Sequence, residues 1–235
     1  MDITVRTIWP IQGRGPVFYA SLPHGPVPPA ARGANGGAKD GLVAVLWDHA
    51  VATESPLGKS CRPFPGEAFP IRVVHDPLGK PFLLRGEHRG PAVSFSEGGG
   101  RLWAALCGDD SDIGIDVAGA DEFPKEYPIH RVFHDQELQQ ASLLAGGDAA
   151  KASALLWSVK EAVAKALGCA FHLVDPREIT VHPSSEGGGG HSFSVGLSRR
   201  TQARFPQSAG RPIGVRSFPQ MNTWLSIALL DRRHP

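Results

Sequence analysis

The stretch Trp157-Ser158-Val159-Lys160-Glu161-Ala162-Val163-Ala164-Lys165-Ala166-Leu167-Gly168 closes the strongest helical pattern of the chain, which runs from Ala149 to Leu167. At about 100° per residue, Leu155, Leu156, Val159, Ala162, Val163, Ala166 and Leu167 fall on one side, with Trp157, Lys160, Glu161 and Lys165 on the other. Gly168 follows as a stop, because glycine accepts the left-handed backbone on which many helices end. The pattern predicts an amphipathic helix with two lysines and a carboxylate on its polar face. Taken alone, that face reads as solvated, with a Glu161–Lys165 pair at i,i+4 contributing about 0.2–0.5 kcal/mol.

Outward from this helix, Asp135 to Leu144 is a second helical segment. Apolar runs of strand length with turn-type flanks recur at Leu42 to Trp47, Ala92 to Phe95, Leu102 to Leu106, Ile113 to Val117, Ser192 to Leu197 and Trp224 to Leu230. Two segments rich in Gly, Pro, Ala or Ser break the pattern. Pro23 to Asp40 is expected to be a mobile surface loop, and Ser184 to Gly190 the tip of a connection between strands. Strands mixed with few long helices, and no short-period repeat, predict an α+β fold.

The 235 residues suffice for one large domain or two smaller ones, each with a real core. With 41% hydrophobic and 20% charged residues and a formal net charge of +1, the chain is neither globally disordered nor charged enough to hold nucleic acid. Met1 to Gln12 lacks the basic-then-apolar pattern of an export signal, and no run reaches the roughly 18 apolar residues of a membrane span. A cytoplasmic protein that enters no membrane is expected. Cys61, Cys107 and Cys169 are odd in number and form no CxxC pair, so they are read as buried or idle thiols.

In Ile113-Gly114-Ile115-Asp116-Val117, period-two alternation places the three β-branched residues on one face and Gly114 and Asp116 on the other, so Asp116 is expected to leave the core side. On its own such an Asp reads as a turn or edge residue as readily as a ligand.

The order of several segments resembles that of the 4'-phosphopantetheinyl transferase superfamily. WSVKEAVAKALG is similar to its W-[ST]-x-K-E-A-x-x-K-x-x-G signature, and GIDV to the G-[IV]-D-[IV] that precedes it. Between them, Phe133 to Glu137 resembles F-x-x-x-E, and Gly79-Lys80-Pro81 resembles an upstream G-K-P. The resemblance implies the longer, monomeric type: two similar α/β halves related by a pseudo-twofold, residues 1–112 and 113–235, with coenzyme A between them. The metal and helix motifs belong to the second half.

It also implies transfer of the phosphopantetheine arm of coenzyme A to a serine of an acyl or peptidyl carrier protein, with magnesium. Asp116 and Glu161 are then the metal carboxylates, Glu161 and Lys165 the catalytic residues, and Lys80, Ser96, Glu97, Lys160 and Lys165 the coenzyme A contacts. Magnesium takes one or two carboxylates with waters and phosphates, and lysine serves phosphate as a point charge, so the residue types suit the chemistry. Two positions depart from the family pattern. Ala118 stands where larger members carry an acid, and Glu97, in Ser94-Phe95-Ser96-Glu97-Gly98-Gly99, stands where a histidine faces phosphate. These departures support an alternative, a degenerate member that binds a carrier protein or nucleotide without transfer. The seven arginines from Arg199 to Arg233 against the single Asp231 offer a docking face for an acidic carrier, or a solvated surface.

Overall fold

The structure, a computed structural model, describes residues 3–8, 15–23, 37–53, 55, 57, 71–108, 110–124, 126–187 and 190–232. Helices and strands are mixed, as expected of an α+β chain. The described residues group into two compact units. One reaches to Ile113 and takes in Arg232; the other spans Gly114–Asp231. No helix among the described residues is long and apolar enough to cross a membrane.

The first unit contains β1 (Arg6–Ile8), β2 (Val17–Pro23), α1 (Ala38–Ala52), β3 (Ile71–His75), β4 (Pro81–Arg85), β5 (His88–Arg89), β6 (Ala92–Gly98) and β7 (Arg101–Cys107). A four-stranded antiparallel sheet has the order β1-β2-β7-β6, and β3-β4-β5 form a second, smaller sheet. Leu42 to Trp47, expected as a strand, lies within α1. Leu42, Val43, Leu46, Trp47 and Ala50 recur at helical spacing and are buried, packing with Phe18, Ala20 and Leu22 of β2 and Leu102, Ala104 and Leu106 of β7. A run apolar on every side carries no period, and the packing decides its form. The predicted loop from Pro23 falls mostly outside the described residues; its last residues, Ala38–Asp40, open α1.

The second unit is built from most of β8 (Ser111–Gly119), followed by α2 (Asp135–Leu144), α3 (Ala149–Leu167), β9 (Ile179–Gly187), β10 (Gly190–Leu197), α4 (Arg199–Arg204), β11 (Ile213–Gln220) and β12 (Thr223–Asp231). The sheet order is β8-β12-β11-β10-β9. Both predicted helices form over the expected residues. The segment Ser184 to Gly190 is strand up to Gly187 and again from Gly190, with residues 188–189 outside the description.

Helix α3 starts at Asp148, whose carboxylate accepts from the amides of Ala150 and Lys151 at 3.0 and 3.1 Å, and ends at Gly168 with φ 88°. Its apolar face, Leu155, Val159, Ala162, Val163 and Ala166, shares one core with Val181, Phe193, Val215, Ala228 and Leu230 of the sheet. Under that face Ser158 Oγ hydrogen-bonds Ser226 Oγ at 2.7 Å, and Ser226 in turn meets Ser217 at 2.6 Å, so the buried hydroxyls satisfy one another.

Candidate active site

Gly114 sets the position of α3 against β8. A Cβ built on it would lie 1.8 Å from the carbonyl oxygen of Ala162, so the helix backbone rests on the strand where no side chain intervenes. The face of β8 turned to the helix is therefore that of Gly114, Asp116 and Ala118. This corrects the expectation that Asp116 leaves the core side: β8 is buried from Ser111 to Ala118, Asp116 is 3% exposed, and Ala118 belongs to the core beneath α3. Both faces of the strand are covered, which alternation cannot foretell.

Asp116 is met by two groups from α3. Lys165 Nζ donates to Asp116 Oδ1 at 2.7 Å and to the Ile115 carbonyl at 3.2 Å, so the lysine pairs across to the strand. The Glu161 carboxyl, one turn earlier, is hydrogen-bonded to Asp116. Burial, then the charge and hydrogen bond of Asp116, push the Glu161 pKa up to about 8; Lys165 pulls it down and the Glu122 charge raises it further. At neutral pH the Glu161 carboxyl therefore keeps its proton beside Asp116. A divalent cation can take that proton's place and relieve the repulsion, so the donor set fits magnesium, which needs one or two carboxylates and fills its octahedron with water and phosphate. Among the described residues no group of three or more His, Cys, Asp or Glu side chains is arranged to hold a metal ion.

Lys160 does not lie on a polar face with Glu161 and Lys165, as the helical wheel predicted. It is 0% exposed. Its ammonium donates to Glu137 Oε2 at 2.9 Å and to the carbonyls of Pro176, Ile179 and Val132 at 2.9, 2.8 and 3.3 Å. Burial lowers its pKa, against the upward pull of Glu137. Glu137 Oε1 accepts from the Val181 amide and Oε2 from the His134 amide, both at 2.8 Å. With more acceptors around it than hydrogens to give, Lys160 ties α3, α2 and β9 together, and its ammonium is not offered to a phosphate.

The remaining expected residues lie in the first unit. Lys80 is ion-paired with Asp112, whose carboxylate also takes Arg232 Nε at 2.9 Å and Nη2 at 2.5 Å. Burial pushes the Asp112 carboxyl up, but the hydrogen bonds and charges of Arg232 and Lys80 outweigh it and hold the pKa below the usual range. Ser96 and Glu97 are strand residues of β6, opposite Trp103 and Leu102 of β7; Ser96 is buried and Glu97 exposed. The expected loop from Ser94 is thus a hairpin arm, turning only at Gly99 and Gly100.

Of the C-terminal arginines, Arg211 donates to the Asp231 carbonyl, Arg216 to Ser192, Arg204 to the Leu173 carbonyl, and Arg232 to Asp112. Arg199 and Arg200 are exposed. Cys107 and Cys169 are buried free thiols, and Cys61 lies outside the described residues.

One residue near the site escaped sequence reasoning. Glu122 follows Asp116 by six positions, after a turn in which its amide donates to the Gly119 carbonyl at 3.1 Å. Partial desolvation, then the charges of Asp116 and Asp121, raise the Glu122 pKa. The Gly119 turn was the available signal.

No protein of curated function matches the chain at a significant level. Among solved structures, a Chronobacterium ammoniagenes ACPS–CoA complex is similar with TM-score 0.42 and 19% identity, covering 53% of this chain and 98% of that one. A holo-(acyl-carrier-protein) synthase from Bacillus anthracis in complex with CoA (3',5'-ADP) gives 0.40 and 18%, over 52% and 96% of the two chains. The holo-[acyl-carrier-protein] synthase of Neisseria meningitidis gives 0.39 and 17%, over 51% and 97%. The family model of the 4'-phosphopantetheinyl transferase superfamily matches residues 112–212, which contain Asp116, Glu137, Lys160, Glu161 and Lys165. Over those residues the chain is similar to the 4'-phosphopantetheinyl transferase superfamily.

Proposed function

We propose that the protein transfers the 4'-phosphopantetheine group of coenzyme A to a serine of an acyl or peptidyl carrier protein, with magnesium held by Asp116 and Glu161. The observation that carries this reading is the meeting of the buried Asp116 and half-buried Glu161 carboxyls beside the Lys165 ammonium. When bound, the cation supplies positive charge against the pyrophosphate oxygens. In the transfer, the serine oxygen bonds to the β-phosphorus as the bond from that phosphorus to the adenosine bisphosphate oxygen breaks. The leaving group departs with the electron pair. Glu161, ionised once its proton has been displaced, takes the serine proton. Lys165 moves from Asp116 to the phosphate oxygens and neutralises the charge that grows there.

Lys80, Ser96 and Glu97 are proposed coenzyme A contacts of the N-terminal half, in a monomer with two similar halves acting in the cytoplasm. Arg199 and Arg200 are exposed cations, Arg200 with its Nε 3.7 Å from Glu178 Oε1, and both are proposed to meet an acidic carrier. Lys160 serves the reaction only by fixing the helix that bears Glu161.

The test is to incubate the full chain with coenzyme A, magnesium and apo carrier domains from fatty-acid, polyketide and peptide synthesis, and to follow carrier mass. A phosphopantetheine increment that Asp116→Asn abolishes is expected. No increment on any carrier, with coenzyme A or carrier binding retained, would replace this proposal by a binding protein without transfer, the reading Ala118 and Glu97 favour.

A further inference from the structure

Three contacts seat α3 on the sheet, and their spacing puts them along one face of the helix. Ser158 Oγ hydrogen-bonds Ser226 Oγ of β12 at 2.7 Å, Ala162 rests its carbonyl on Gly114 of β8, and Lys165 Nζ donates to Asp116 Oδ1 of β8 at 2.7 Å. Ser158, Ala162 and Lys165 stand at i, i+4 and i+7. Ser158 is fully buried, and so are Ser217 and Ser226, each at 0% exposure.

Hydroxyls are harder to bury than the alanines around them unless each is paired. Here they are paired in one direction. Ser158 Oγ donates its single hydrogen to the Leu155 carbonyl at 2.9 Å, so Ser226 donates to Ser158, and Ser217 donates to Ser226 at 2.6 Å. The row therefore runs from β11 through β12 to α3. An apolar seat tolerates a small roll or slide of a helix, because dispersion has no preferred direction, whereas a hydrogen bond weakens once its angle departs from linearity. The backbone contact at Gly114 limits how near α3 can come and carries no such directional bond. The serine bond, one helical turn before it, supplies the missing direction.

We propose that Ser158 and Ser226 are positioning residues of the candidate active site: their bond fixes the roll of α3 over Gly114 and so carries Glu161 and Lys165 to Asp116. Ser217 holds the Ser226 hydroxyl in the direction that this requires. The inference rests on the reading of Asp116, Glu161 and Lys165 as the site, and the serines themselves touch no substrate.

The experiment compares the full wild-type chain with Ser226→Ala and with the triple variant Ser158→Ala, Ser217→Ala, Ser226→Ala. The single variant leaves buried hydroxyls short of a partner. The triple variant leaves none, so it should melt nearer to wild type than Ser226→Ala does. Its kcat for transfer to a carrier should nonetheless fall on the order of tenfold, with KM for coenzyme A little changed, because the reacting groups are misplaced and not removed. A second readout needs no turnover. Lys165 is 30% exposed beside Asp116, and amine-selective acylation followed by peptide mass should label it on the order of threefold faster in the triple variant, as loss of a partly exposed ion pair allows. Wild-type labelling of Lys165 in the folded triple variant would overturn the role of the serines and leave the reading of Asp116, Glu161 and Lys165 standing. Faster labelling with an unchanged kcat would overturn the claim that this seating serves the site. Faster labelling in a chain whose wild type transfers to no carrier would uphold the seating and overturn the transferase reading instead.

Discussion

Lys160 Nζ lies 2.9 Å from Glu137 Oε2, with side-chain exposures of 0% and 2%. Removing one member of such a pair strands the other charge in the core. Lys160→Ala is expected to cost about 3–5 kcal/mol of folding stability in urea denaturation. The double variant Lys160→Met, Glu137→Leu should recover part of that loss, because no charge is then buried. A single variant as stable as wild type would show that the pair is not structural.

Gly114 tolerates no side chain. With 1.8 Å between its virtual Cβ and the Ala162 oxygen, Gly114→Ala must push α3 from β8, and the loss should reach or exceed the upper end of the usual overpacking cost of about 1–3 kcal/mol. Cation binding should fall with it, because Asp116 and Glu161 part. Thermal denaturation and Mn2+ titration of the same variant measure both effects.

The raised pKa of Glu161 has a signed consequence for stability. Its carboxyl goes from an ordinary value of 4.5 to about 8 on folding, so the folded state binds the extra proton between these limits. That contribution is fully present below about 4.5 and is lost as pH rises toward 8. Without metal, the wild type should therefore lose stability relative to Glu161→Gln as pH rises across this window. A constant difference between the two proteins from pH 4.5 to 8 would contradict the assignment.

Lys165 Nζ donates to Asp116 Oδ1 at 2.7 Å, so in the proposed site it would compete with a cation for that carboxylate. Lys165→Ala is expected to bind Mg2+ at least as tightly as wild type while transfer to a carrier falls by about 2–4 kcal/mol in the transition state. Equal losses of cation affinity and of rate would mean that Lys165 serves the metal site and not the phosphate.

How legible these features were depends on where their signals lie. The helix from Ala149 to Leu167 was legible because its stripe, its Asp148 cap and its Gly168 stop are local. Helix α1 was not, since Leu42 to Trp47 is apolar without a period and its burial against β2 and β7 is a tertiary fact. The same holds for Lys160. Pattern places a lysine outside; only Glu137, 23 positions away, and three carbonyls allow it inside. Asp116 was expected on the open side of its strand, but its burial follows from α3 lying over the strand.

The close seat of Ala162 on Gly114 also acts as a gauge. The strand that carries Asp116 and the helix that carries Glu161 touch backbone to backbone, so their spacing is set by atoms that cannot change rotamer. In the proposed site, a cradle with so little backbone slack would favour a small cation that demands short, regular bonds over calcium.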